Sequence, residues 1–112
     1  MIIMNENQQQ YFEHVVRSLD KRSVLEQLAE ESSEITKAAL KVIRAEKLSV
    51  NTTPITYEES MEKLIEEIND VRMIISLLKN KYTELDKALP EDNDIINNPK
   101  WKRWAHRLGY VE

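Results

Sequence analysis

A single glycine, Gly109, and three prolines in 112 residues leave this chain few means of building tight reverse turns. Hairpins and turn-rich sandwiches draw on glycine, asparagine and proline at fixed turn positions. Their scarcity favours long helices with few interruptions, an all-α fold. The length suits one domain, residues 1–112, around one core. Cysteine is absent, which removes disulfides, thiolate metal sites and cysteine nucleophiles together. A formal charge of −4 argues against general nucleic-acid binding. Met1-Ile2-Ile3-Met4 is too short for a signal-peptide core, and no long uncharged apolar run follows. A soluble, cytoplasmic protein without a membrane partner is expected.

Periodicity places four helical segments. The first runs from Glu6 to Leu19 with Asn5 as N-cap and Phe12, Val15, Val16 and Leu19 as its stripe. The second runs from Val24 to Glu46, with Ser23 and Glu26 as a capping box. Its core steps through Leu25, Leu28, Ser32, Ile35, Ala39 and Val42. A polar, β-branched stretch from Leu48 to Thr56 breaks the pattern, and Pro54 forbids a continuing helix there. Thr56 and Glu59 then cap a third helix starting near Tyr57, whose stripe is Met61, Leu64, Ile68, Val71, Ile75 and Leu78. Tyr82, Leu85 and Leu89 extend that stripe up to Pro90. So long a stripe exceeds what one small domain covers, and a partner chain is the natural explanation. A polar segment, Glu91 to Asn98, leads to a short last helix after Asn98-Pro99, with Gly109 as its stop. The expected architecture is an antiparallel bundle of four to five helices, completed by homo-oligomerisation into a homodimer or homotetramer. Residues 91–112 form its basic, tryptophan-containing tail.

Two acidic clusters stand inside the helical segments: Glu30-Glu31-Ser32-Ser33-Glu34 and Glu66-Glu67-Ile68-Asn69-Asp70. Residues three apart on a helix share nearly one face. If the two helices pack antiparallel, Glu31, Glu34, Glu67 and Asp70 converge. Two carboxylates ~4 Å apart repel by roughly 4 kcal/mol at an effective dielectric near 20, so a cationic partner is required. Glu31 lies on the line Val24, Leu28, Glu31, Ile35, Ala38, and Glu67 on the line Leu64, Glu67, Val71, Ile74, both at the apolar edge. Unpaired charge is costly there. Glutamate pairs at this spacing are also ordinary solvated surface, and that reading stands beside the metal reading. Oxygen-only ligands select Mg2+, with Mn2+ as a substitute.

The run Leu28-Ala29-Glu30-Glu31-Ser32-Ser33-Glu34-Ile35, then Lys41 and Arg44, then Leu64-Ile65-Glu66-Glu67-Ile68-Asn69-Asp70-Val71, resembles MazG-like nucleotide pyrophosphohydrolases of the all-α NTP pyrophosphatase superfamily. The compact phage-type members are the most similar, and the linker Asn51 to Thr56 and the ending Lys102 to Leu108 add to the likeness. The resemblance spans residues 24 to 108. Two features depart from it: Asn69 stands where glycine or alanine is usual, and about thirty residues separate the acidic pairs. The resemblance implies that Glu31, Glu34, Glu67 and Asp70 are magnesium ligands and that Glu30 assists metal binding or water activation. It implies hydrolysis of a nucleoside triphosphate to the monophosphate and pyrophosphate, with Glu30, Glu31 or Glu34 accepting the water's proton.

Cations suited to the substrate's phosphates are Lys37, Lys41 and Arg44, which follow the first cluster, and Arg103 and Arg107 in the tail, beside Lys100 and Lys102. For Lys37 to Arg44 a solvated face with i,i+4 ion pairs is the plainer reading. Trp101, Trp104, Ala105 and Leu108 form one apolar side of the tail helix, which is expected to dock on the bundle over the acidic site. Tyr11, Phe12 and His14 are either core and surface residues or a nucleobase pocket. Two other functions fit the chain: a non-catalytic helical oligomerisation or interaction module, and a phosphoribosyl-ATP pyrophosphohydrolase. The long linker and tryptophan-bearing tail suit the latter less well.

Overall fold

A computed structural model describes residues 5–47 and 54–111. The segment expected to break the helices, from Leu48 through Thr53, lies outside the described residues. Five α-helices follow in order: α1 (Glu6–Ser18), α2 (Lys21–Ala45), α3 (Tyr57–Lys81), α4 (Thr83–Ala88) and α5 (Lys100–Arg107). A 3-10 turn, Asp92–Asn97, precedes α5. The described residues contain no strand.

Local chemistry accounts for most of the starts. The Asn5 side chain accepts from the Gln8 amide at 2.9 Å while Gln8 reaches back to the Asn5 amide at 3.1 Å, a reciprocal capping box. The Thr56 hydroxyl accepts from the Glu59 amide at 3.2 Å, the cap expected for α3. Helix α2 differs from expectation. Asp20, not Ser23, is its N-cap, and the carboxylate accepts from the Ser23 amide at 2.7 Å. That bond holds the Asp20 carboxyl below its ordinary value, so the cap is strongest once ionised. The helix therefore starts at Lys21, before its apolar pattern becomes visible.

Helices α2 and α3 form the body. Val24, near the start of α2, is fully buried and clusters with Leu77 and Leu78, near the end of α3, so the two helices run antiparallel. Phe12, Val16 and Leu19 of α1, Leu28, Ile74, Tyr82 and Leu85 pack around this cluster. The inner line of α2 is Val24, Leu28, Glu31, Ile35, Ala38 and Val42, and that of α3 is Ser60, Leu64, Glu67, Val71, Ile74 and Leu78, all buried or half-buried. Both lines step by four and three residues, the helical spacing. Leu25 and Ser32 were expected in the α2 core and Ile68 in the α3 core, but all three are exposed. Leu28, Ile35 and Val42 and Leu64, Val71 and Leu78 belong to both the expected and the observed lines, so the core face is turned by about 50°, half a residue step.

Because the helices are antiparallel, the residues that follow each inner line lie on one common side of the hairpin. That side carries Leu25 and Ile43 of α2 and Ile65 and Ile68 of α3, exposed at 45%, 39%, 53% and 43%. The residues that precede each line lie on the opposite side. They include Glu30, Glu34, Lys37 and Lys41 on α2, and Lys63, Glu66, Asp70, Met73 and Leu77 on α3. One side of the hairpin is thus apolar and the other charged, and α1 lies against α3 at the Met73–Leu77 end of the charged side.

The third helix does not run on to Pro90. It breaks at Tyr82, which adopts an extended conformation, φ −130° and ψ 107°. Helix α2 begins opposite this point, so a straight continuation would have nothing to pack against. The turn instead folds Leu85 back onto the core. Lys81 fastens it by donating to the Val16 carbonyl, and the Lys21 ammonium lies 4.8 Å from the centre of the Tyr82 ring. The tail also differs from expectation. Trp101 and Trp104 stack on each other, ring centres 6.0 Å apart, and remain 47% and 50% exposed rather than seated on the bundle. Gly109, at φ +91°, supplies the left-handed residue that stops α5. No helix among the described residues is long and apolar enough to cross a membrane.

Asp20→Ala is expected to cost about 1 kcal/mol in urea unfolding, and Leu78→Ala about 2–5 kcal/mol. Ser23→Ala keeps the backbone donor to Asp20 and loses only the hydroxyl contact, so it should cost less than Asp20→Ala.

Candidate metal centre

At the middle of the hairpin each inner line carries a glutamate where a core residue would ordinarily sit. Glu31 of α2 and Glu67 and Asp70 of α3 each place a carboxylate oxygen within 4.8 Å of the others. Glu67 is only 3% exposed, while Glu31 and Asp70 are half-buried. The opening lies on the charged side of the hairpin, where Asp70 precedes the inner line.

The charges are only partly answered. Lys63 lies 2.8 Å from Glu67 Oε1 and 3.4 Å from Glu66, and these two partners raise the lysine's proton affinity. Glu67 Oε2 is buried and has no hydrogen-bond partner among the described residues. Ionised neighbours have no hydrogen to offer it, and Glu31, whose carboxyl is in hydrogen-bonding reach of Glu67, can donate only when protonated. Burial raises the Glu31 carboxyl above its ordinary value of 4.5, and Asp70, Glu67 and Glu30 add repulsion in the same direction. An orphaned buried oxygen, a carboxyl with raised proton affinity and an all-oxygen donor set together suit a hard divalent cation.

The structure thus brings together three of the four expected ligands. The fourth, Glu34, stands three residues beyond Glu31 on the charged side, where Lys37 lies 3.6 Å away in an exposed pair. Glu30 is exposed beside the cluster. Lys41 is exposed and Arg44 half-buried further along α2, with Arg44 two turns beyond Lys37 on nearly the same face. Arg103 and Arg107 are elsewhere, lining a small cleft with Lys100 and Trp104 on α5. Lys63 was missed as a partner of this centre. Its position four residues before Glu67 was the available signal, since i,i+4 opposite charges meet on a helix.

A groove of about 430 Å³ opens between α1 and α3, lined by Tyr11, Phe12, Val15, Met73 and Leu77, with Gln8 and Ser76 as its polar members. His14 is not part of it. Met73 lies three residues after Asp70 on the same side of α3, so the groove begins about one helical turn from the acidic centre. No protein-family model, curated protein or solved structure matches the chain.

The raised Glu31 carboxyl has a definite consequence for pH. The folded state holds this proton more tightly than the unfolded chain, so Glu31 disfavours folding increasingly as pH rises through 4.5 and toward its raised value. Glu31→Gln should therefore raise the melting temperature at pH 7, with the gain shrinking by pH 4. Equal gains at both pH values would contradict the described crowding. Asp20 acts in the opposite sense, losing its cap as pH falls through its lowered value, and it is common to both proteins.

Proposed function

We propose that the chain is a Mg2+-dependent nucleoside triphosphate pyrophosphohydrolase, hydrolysing a (d)NTP to the (d)NMP and pyrophosphate. The supporting observation is the Glu31, Glu67 and Asp70 cluster with its buried, unpartnered Glu67 oxygen. The MazG-like resemblance of Glu31, Glu34, Glu67 and Asp70 gives that cluster its chemistry. Glu31, Glu67 and Asp70 would hold the ion. Glu34 would join them from the next turn of α2, since its exposed pair with Lys37 is worth little. A bound divalent ion supplies charge neutralisation for the phosphates and acidifies a bound water.

The residues of the chain have distinct tasks around it. Lys63 holds one oxygen of Glu67, which fixes the other toward the cluster. A carboxylate at the mouth, Glu30 or Glu34, or Glu31 within it, takes the proton from the attacking water. Lys37 and Lys41, on the same side of α2, face the negative charge of the polyphosphate. Phosphoryl transfer depends chiefly on such placement and electrostatic stabilisation. The apolar side of the hairpin, with Leu25, Ile43, Ile65 and Ile68 exposed, supports assembly of two or four copies. Assembly through that side leaves the charged side open to substrate.

Pyrophosphate release from at least one member of a (d)NTP panel is expected. EDTA should abolish it, and Asp70→Asn should lower it at least a hundredfold with the helical circular dichroism intact. Turnover that survives both treatments would rule out this centre. Ile68→Glu should convert the assembly to monomer in light scattering. An unchanged mass would place the interface elsewhere.

A further inference from the structure

The tail helix and the charged side of the hairpin match each other in two independent respects. The groove between α1 and α3 is apolar and open, with Tyr11 70% and Met73 65% exposed. About one turn away along α3 lie the carboxylates of Glu31, Glu67 and Asp70, with Glu30, Glu34 and Glu66 around them. Helix α5 presents the complement. Trp101 and Trp104 form a flat, stacked, half-exposed pair. Lys100, Arg103 and Arg107, spaced at i, i+3 and i+7, line a cleft beside Trp104. No acidic residue occurs from Asn98 to Val111. On both surfaces an apolar element adjoins charge, cations beside Trp104 on α5 and carboxylates that outnumber Lys37, Lys41 and Lys63 on the hairpin.

We propose that α5 of one copy docks on the charged side of a second copy, its tryptophans in the α1–α3 groove and its cations over the acidic cluster. The chain's own tail is held away from this surface. Pro90 and Pro99 bracket the segment before α5, and within it Asp94 N donates to Glu91 O at 2.9 Å and Asn98 N to Ile95 O at 3.0 Å. The Trp101 indole N–H donates to the Ile95 carbonyl at 3.0 Å, which fixes the helix to its own connector. A second molecule carries the same tail without that restriction. A tryptophan buries roughly 150–250 Å² when covered, and a groove of about 430 Å³ falls in the range that holds apolar ligands. The contact screens the acidic carboxylates and closes the mouth of the cluster. It does not depend on the hydrolase reading, since no substrate takes part.

The chain has two tryptophans, both on α5, so intrinsic tryptophan emission reports on the tail alone. In the full-length protein at low salt, raising the concentration from micromolar to millimolar should shift emission to the blue and reduce acrylamide quenching several-fold. High salt should reverse both changes, because the ionic part of the contact is screened. Tyr11→Lys and Met73→Lys replace exposed groove side chains, so their folds should stand, as circular dichroism would verify; either should abolish the shift. Three outcomes would overturn the proposal. One is solvent-exposed emission at every concentration. The second is a shift independent of concentration, which would mean docking within one chain. The third is a shift retained in both groove variants, which would mean another surface or tail-to-tail stacking.

Discussion

The antiparallel contact between α2 and α3 governs everything else in this molecule. Two helices with matched four-and-three spacing bring one inner line against another, and at the centre of each line a glutamate replaces a core residue. Had these positions been leucine, the hairpin would be an ordinary helical pair. With glutamate there, apolar packing at the Val24–Leu77–Leu78 end must hold together a middle that repels itself. The distribution is consistent: Val24, Leu77 and Leu78 cluster at one end of the hairpin, Ala38 is buried two turns beyond Glu31, and Lys63 supplies the nearest countercharge.

From this contact follow the two sides of the hairpin. Antiparallel geometry sends the residues after each inner line to one side and the residues before it to the other. The sequence places aliphatic side chains in the first set, and acids and lysines in the second. Aliphatic and ionic side chains are thereby sorted to opposite surfaces of a two-helix unit. Helix α1 then lies against the charged side at one end and creates an apolar groove that begins about one helical turn from Asp70.

Much of this was legible in the residues, for reasons that can be named. Asn5 and Thr56 were readable as caps because each precedes a clear apolar stripe with a glutamine or glutamate three residues on. Asp20 was not, because Lys21 and Arg22 carry no apolar period and Ser23 with Glu26 offers the same capping pattern three residues later. Half of the expected core positions, such as Leu28, Ile35, Leu64 and Val71, lie on the observed lines, and the rest are displaced by one residue because helical spacing alone cannot choose between adjacent lines. The line through Glu31 and Glu67 was the harder choice, since it asks a core to accept charge. The break at Tyr82 has no glycine or proline to announce it. It reflects where α2 begins, which is tertiary information. The tail's separation from the bundle is of the same kind, set by the 3-10 turn between its two prolines.

The unpartnered oxygen of Glu67 links folding to occupancy. A proton or cation that enters the centre removes repulsion the native hairpin otherwise bears, so the relief adds to its affinity. The same relief makes the hairpin harder to open while the occupant stays. Local unfolding of α2 from α3 would then be slowest in the occupied molecule, and the middle of the bundle would act as a latch set by its ionic surroundings.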